Sequence, residues 1–425
     1  MKLFSGYSID SRDVMPGNLF IALAGENVDG HDYVAQAFSR GAAAALVERY
    51  VAADGLQLLV PNVLEALQNM AHAARKTWAK TVVAITGSAG KTSTKEAVAK
   101  LLSVALPVSR TIGNFNNHIG LPLSILRIDE QSEVAVLEMG MNHGGEIARL
   151  CEIARPEIGL VTNVGYAHAE HFDGIEGIAA AKRELIESLP ADGTAILNAD
   201  DRFVSRFPFA GRVETFGLSD GAKTRAVNVS YTVDGAQFTI DGQVFHSRVP
   251  GKIGILNIAA GVAVARLWGI PLRLLAEAAE EIELPKMRTE RIEHKGMTIW
   301  NDCYNSNPDA AKAMLDLLRE TAPGRRIAVL GEMRELGRWA ETLHREVGSY
   351  AVESGVSVLI GIRGAARFTV ESALKAGLSA RAACFFENPE EAGEHLKQLV
   401  EPGDSILFKG SRGTRVELAL EKFLS

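Results

Sequence analysis

Residues 82–94 read VVAITGSAGKTST, and they hold a lysine and a threonine straight after a glycine. The usual phosphate-binding loop is G-x-x-x-x-G-K-[ST]. Counting back from Gly90, Lys91 and Thr92, its first glycine would fall at Ile85, but the glycine stands at Gly87. The loop is short, yet its parts suit a nucleotide. An apolar strand ending in Thr86 turns through Gly87, Ser88, Ala89 and Gly90 into a helix that begins near Lys91. Backbone N–H groups at a helix N-terminus can face an anion. Lys91 adds a point charge for outer phosphates, and the Thr92 hydroxyl suits Mg²⁺.

Two more groups share this address. Glu138 ends the apolar run VAVLE, and His168 lies just past IGLVTNV. Open parallel sheets bind ligands beyond the carboxyl ends of their strands. Either residue alone could be a cap. Together on one rim with the glycine loop, Glu138 suits Mg²⁺, and His168 suits a metal or a phosphate oxygen. Lys182 is different. It falls in the stripe Ile178, Lys182, Leu185, Leu189, on the apolar face of a helix. Two readings are open. Its amine can snorkel to water, or burial can lower its pKa and make it functional. A neutral amine reacts with CO₂ to give a carbamate, which is an anionic metal ligand.

These residues must be held by a framework, and the 425-residue length predicts about three domains. Residues 1–79 read as a small α/β unit that ends in a helix, VLEALQNMAHAARKTW. Residues 80–286 alternate short apolar strands with helices, which predicts a parallel sheet covered on both faces. Within them, residues 225–249 switch to period-two alternation with turns at Asp234-Gly235 and Asp241-Gly242. That pattern predicts an antiparallel excursion. Residues 287–425 resume the βα alternation and read as a Rossmann-like third domain, with Pro308 in the first turn of a helix.

Composition narrows the classes. The chain carries a net charge of −7 and no basic tract, which argues against nucleic-acid or membrane-surface binding. The start lacks the apolar core of a signal peptide, and no run reads as a membrane span. Cys151, Cys303 and Cys384 are far apart and outside metal spacing, as expected of a reducing cytoplasm.

With these residues in hand, the chain resembles the Mur ligases. These are ATP-dependent, three-domain amide ligases of peptidoglycan precursor synthesis, related to folylpolyglutamate synthetase. TGSAGKTS is similar to their shortened loop, T-G-x-x-G-K-[ST]. DSRDVMPGNLFIALAGENVDGHDYVAQAFSRGA resembles their UDP-binding domain. TIGNFNNHIGLPLSIL, LEMGMNHGGEI, TNVGYAHAEHF and AAAKRE resemble the central-domain signatures. NDCYNSNPDA, VLGEMRELG and FKGSRG most resemble the branch that adds D-alanyl-D-alanine.

The resemblance implies roles and partners. Ser11 and Arg12 would contact uridine. Gly87, Ser88, Ala89, Gly90, Lys91 and Thr92 would hold the ATP phosphates and Mg²⁺. Asn116 and Asn117 would position a UDP-N-acetylmuramoyl-tripeptide. Glu138 and His168 would bind a second Mg²⁺, with Lys182 carbamylated. Arg288, Asp302, Tyr304 and Asn305 would reach ATP from the third domain, with Arg288 favoured over Arg291 for the γ-phosphate. Lys409, Ser411 and Arg412 would lie near the incoming dipeptide. The implied protein is a cytoplasmic monomer with a hinge near residues 284–290. One element departs from the family. G-x-H-N-x-x-N reads Gly251-Lys-Ile-Gly-Ile-Leu-Asn257 here, so Ile253 and Gly254 replace the His-Asn pair and Asn257 remains. A folylpolyglutamate-type ligase is disfavoured by the N-terminal domain. A non-catalytic nucleotide-binding scaffold is disfavoured by Lys91, Thr92, Glu138, His168 and Lys182.

Overall fold

The computed structural model describes residues 3–25, 27–232 and 234–425. The first domain holds a four-stranded parallel sheet. Its strands, Gly6–Ser8, Asn18–Ile21, Ala44–Val47 and Gln57–Leu59, pair in chain order. The helix Val63–Trp78 follows, with the Asn62 side chain accepting from Glu65 N at its start. It ends at Ala79, a left-handed residue whose N–H returns to Arg75 O. This helix also braces the next domain. Arg75 is buried, and its Nε donates to Ala154 O at 2.7 Å.

The central sheet has seven strands, all parallel. Thr81–Thr86 lies inside it, between Ile158–Val161 and Val134–Glu138. All three strands are fully buried apart from Thr81. This burial accounts for their unbroken apolar reading in sequence. Ile85 stands opposite Glu138, and Thr86 opposite Val161, so the three strand ends open on one rim. The segments that follow carry the glycine loop and His168 onto that rim.

Residues 227–247 form a separate three-stranded antiparallel sheet. Its second turn has Asp241 at φ 45° and Gly242 at φ 82°, the two positive values that a type I′ hairpin needs. The helix Gly251–Ala265 packs beneath it. Together with the turn to Trp268, this is the one stretch among the described residues long and apolar enough to cross a membrane. Two-thirds of it is buried inside the protein, as in a core helix. The sequence reading missed this run because Gly, Lys and Asn interrupt its start.

The third domain has a six-stranded sheet in the order Glu290–His294, Met297–Asp302, Ser405–Lys409, Arg326–Gly331, Val358–Ile362, Ala383–Phe386. The first pair is antiparallel and the rest parallel. The antiparallel edge strand is a difference from the simple βα expectation. Four of the five residues 290–294, ERIEH, are polar or charged, and burial alternates along them at the sheet's edge. The sequence shows no apolar run there, and no strand is expected from it.

Candidate active site

Gly87 and Gly90 shape the short loop. A side chain at Gly87 would put its Cβ 1.9 Å from Thr162 Oγ1, so the backbone passes against the neighbouring strand. Gly90 takes φ 77° and begins the helix Lys91–Leu102 with no side-chain cap. The first N–H groups of that helix are therefore left for a ligand. Asn163 secures the loop from the side: its Oδ1 accepts from Ala89 N at 2.8 Å, and its Nδ2 donates to Ala89 O. Lys91 Nζ donates to Gly87 O at 2.7 Å. Burial lowers the Lys91 pKa, Glu138 opposes that shift, and Arg288 adds to it.

Glu138 is 2% exposed and fully engaged. Its Oε2 accepts from Thr92 Oγ1 at 2.8 Å and its Oε1 from Asn116 Nδ2 at 2.7 Å. Asn117 Oδ1 accepts from Gly120 N and starts the helix Gly120–Leu126. His168 holds φ 57°, a left-handed value uncommon outside glycine, at the start of a short turn.

Lys182 lies with Ile178 and Leu185, all at 0% exposure, on the buried face of the helix Ile175–Glu187. Its Nζ has no hydrogen-bond partner. Burial lowers its pKa well below that of a free lysine, and the nearby Lys91 charge adds to the effect. The snorkelling alternative fails because the amine does not reach water.

The third domain closes over these groups. Arg288 stands between two left-handed residues, Met287 at φ 64° and Thr289 at φ 51°. Bonds hold this strained segment: Thr289 N donates to Asp302 Oδ1, and Tyr304 N to Met287 O. The Arg288 guanidinium lies over the Tyr304 ring, 4.0 Å from its centroid. Arg291 is turned elsewhere, toward Asp234 and Glu293. Two residues not foreseen from sequence tie the domains. Asn307 Nδ2 donates to Ser88 O at 3.2 Å, and Asp309 Oδ2 accepts from Tyr166 N at 3.1 Å. Asn307 was legible only as the cap of the helix that begins at Pro308.

A cavity of about 670 Å³ collects these groups. Ser88, Ala89, Gly90, Lys91, Thr92, Asn116, Asn117, Glu138, His168, Asn257, Arg288, Asp302, Tyr304, Asn305 and Lys409 all line it. Lys182 is not in the lining. Lys409 is 2% exposed and donates to Asp302 Oδ2 and Asn305 O, so it supports the lining more than it offers a free charge. Ser411 is buried against Arg334 N and Ser306 O, and Arg412 faces Glu417; neither lines the cavity. Ser11 and Arg12 sit apart in the first domain, bonded to Gln36 and Asp10. Asn257 accepts from Thr94 Oγ1, and its buried Nδ2 has no partner. Beside it, Ile253 lines the cavity. A Cβ at Gly254 would meet Val249 O at 2.0 Å, so this backbone has no room for the family's asparagine.

Among the described residues, no three His, Cys, Asp or Glu side chains stand close enough together to hold a metal ion. Thr92 and Glu138 are hydrogen-bonded to each other, and the Lys182 amine is unpartnered.

Three family models match in succession: the Mur ligase catalytic domain over residues 3–108, the middle domain over 85–265, and the glutamate ligase domain over 287–412. The UDP-N-acetylmuramoyl-tripeptide--D-alanyl-D-alanine ligase of Bacillus subtilis is 36% identical, over 97% of this chain and 91% of its own. A crystal structure of MurF from Acinetobacter baumannii superposes with a TM-score of 0.91 at 30% identity, covering 99% of this chain and 93% of that one. MurF from Thermotoga maritima in complex with ADP gives 0.85 at 31% identity, covering 100% and 98%.

Proposed function

The chain belongs to the Mur ligase family, and on that premise we propose that it is the ATP-dependent ligase that joins D-alanyl-D-alanine to UDP-N-acetylmuramoyl-tripeptide. The reading is carried by one observation: the phosphate loop, Glu138 and His168 face Arg288 of the third domain across a single cavity. The named relatives, similar along nearly their whole length, support the choice of branch.

A carboxylate is a poor acylating agent at neutral pH, so amide formation needs activation. The terminal carboxylate oxygen of the tripeptide bonds to the γ-phosphorus of ATP, and ADP leaves. The amine nitrogen of D-alanyl-D-alanine then bonds to the acyl carbon, sheds a proton and expels phosphate. The first step brings an anion up to an anion. Lys91 and Arg288, one from each of the two larger domains, offset that repulsion. Thr92 and Glu138 would hold Mg²⁺ at the phosphates, and Glu138, His168 and a carbamylated Lys182 a second ion. Mg²⁺ supplies charge neutralisation of the transferring phosphoryl group. Glu138 would exchange its bonds to Thr92 and Asn116 for these ligands, which frees Asn116 for substrate. Asn307 and Asp309 hold the third domain shut and exclude water from the acyl phosphate. The strained segment around Arg288 is the natural hinge. We assign the reaction to the cytoplasm, where UDP-linked precursors and ATP coexist, and to a monomer that holds every element of the site.

The test is phosphate release from ATP with UDP-muramoyl-tripeptide, with and without D-alanyl-D-alanine. Release that requires both, with a UDP-pentapeptide mass, is the expected result. Release without the dipeptide would indicate a plain NTPase, and no release would overturn the reading.

A further inference from the structure

Glu335 lies in the third-domain motif GEMRELG, and its Oε2 stands 2.6 Å from Nδ1 of His168 in the central domain. Both residues hold left-handed backbone, at φ 62° and 57°. The two loops that carry them interlock. Glu170 N donates to Glu335 O at 3.0 Å, and Arg338 Nη2 donates to Asp173 O at 2.9 Å. A Cβ at Gly337 would come within 2.7 Å of Glu170 Cβ, so the loops touch backbone to side chain. Tyr166 and Trp339 pack beside them, with ring centroids 6.0 Å apart.

The imidazole itself is incompletely held. His168 Nδ1 is buried and has no aligned hydrogen-bond acceptor, although the Glu335 carboxylate is at ion-pair distance. A ligating histidine ordinarily gives its second ring N–H to a carboxylate, which sets tautomer and ring orientation. Here that carboxylate belongs to a different domain from the imidazole.

We propose that Glu335 is a positioning residue for His168, supplied across the domain boundary on closure, which fixes the imidazole with Nε2 directed to the divalent cation in the cavity. This rests on the reading above that His168 is a cation ligand. Closure and cation binding are then one event. Interdomain contact brings the carboxylate, the carboxylate orients the ring, and a bound cation in turn favours the closed form.

The experiment uses the full chain with a non-hydrolysable ATP analogue and UDP-muramoyl-tripeptide, titrated with Mn²⁺ and read by electron paramagnetic resonance. No turnover is needed. Glu335→Gln keeps the shape and removes the charge. Its Mn²⁺ affinity is expected to fall about tenfold to a hundredfold, the effect of losing such a partner. In a His168→Ala background the same exchange is expected to change nothing further. Arg338→Ala removes a solvent-exposed contact that contributes little to closure and touches no proposed ligand, so its affinity stays within about twofold of the starting protein. In steady state, E335Q would lower kcat, leave KM for ATP unchanged and regain activity at high Mg²⁺. Unchanged Mn²⁺ affinity in E335Q, an equal loss in the His168→Ala background, or the same loss in R338A would each overturn the proposal. If the starting protein forms no UDP-pentapeptide, the functional reading falls, while the Mn²⁺ comparison still decides the role of Glu335.

Discussion

Lys409 and Lys182 are both buried lysines, one in each of the two larger domains, and their surroundings are opposite. Lys409 ends the strand Ser405–Lys409 and donates to Asp302 and to Asn305 O. Lys182 sits mid-helix with no partner at all. A buried charge that is paired holds structure together; one that is unpaired costs stability and persists only where something else repays it. The Lys409 cluster fixes the strand end that presents Tyr304 and Asn305. Burial disfavours the charged form of the Lys182 amine. One lysine is paired scaffold, and the other is the residue to which the proposed mechanism gives the carbamate.

The largest expected effect is on the scaffold side. Lys409→Met leaves Asp302 without its partner and should lower stability by about 3–5 kcal/mol. Denaturant unfolding measures this, and a loss under about 1 kcal/mol would break the distinction. Next is activity at Lys182. Lys182→Met should cut kcat about 10²- to 10³-fold, the scale of removing one charge-stabilising group. Lys182→Ala should recover part of the loss when short carboxylic acids are added. Full activity in either variant would remove the carbamate from the mechanism.

A smaller effect separates the two lysines by the sign of their stability change. In CO₂-free buffer, Lys182→Met should stabilise the protein by about 1–3 kcal/mol, the cost of a buried unsatisfied polar group. The folded state holds the Lys182 pKa down, so the unfolded chain binds more protons. Stability of the unsubstituted protein therefore rises with pH toward the ordinary lysine value. The gap to the Met variant narrows over the same range. A gap that widens would contradict the buried neutral amine. The smallest effect is at Cys151, where burial pushes the thiol pKa up to about 12. Alkylating reagents at pH 8 should leave native Cys151 unlabelled, and rapid labelling would show that this interior is open.

Much of this contrast was legible beforehand. The spacing Ile178, Lys182, Leu185 placed Lys182 on the apolar face because helical period alone decides which residues share a side. Lys409 gave no such signal. The resemblance places it near the incoming dipeptide, and its partner Asp302 is more than a hundred positions away in the chain. The short loop was read correctly because strand, glycine and helix N-terminus are local features. The antiparallel edge strand Glu290–His294 was missed because an edge strand wets one face and loses the apolar run. Glu335, Asn307 and Asp309 were missed because their partners are in another domain.

The sequence by itself determined the loop, the strand end that carries Glu138, the segment past Val161 that carries His168, and the buried face that takes Lys182. Each follows from periodicity, glycine positions and strand length, which act over a few residues. Only the tertiary structure decided that Lys182 has no partner while Lys409 has two, that Gly254 has no room for a side chain against Val249 O, and that Glu335 reaches His168. Those outcomes depend on how separate layers and domains pack, and packing brings together groups that no local pattern relates.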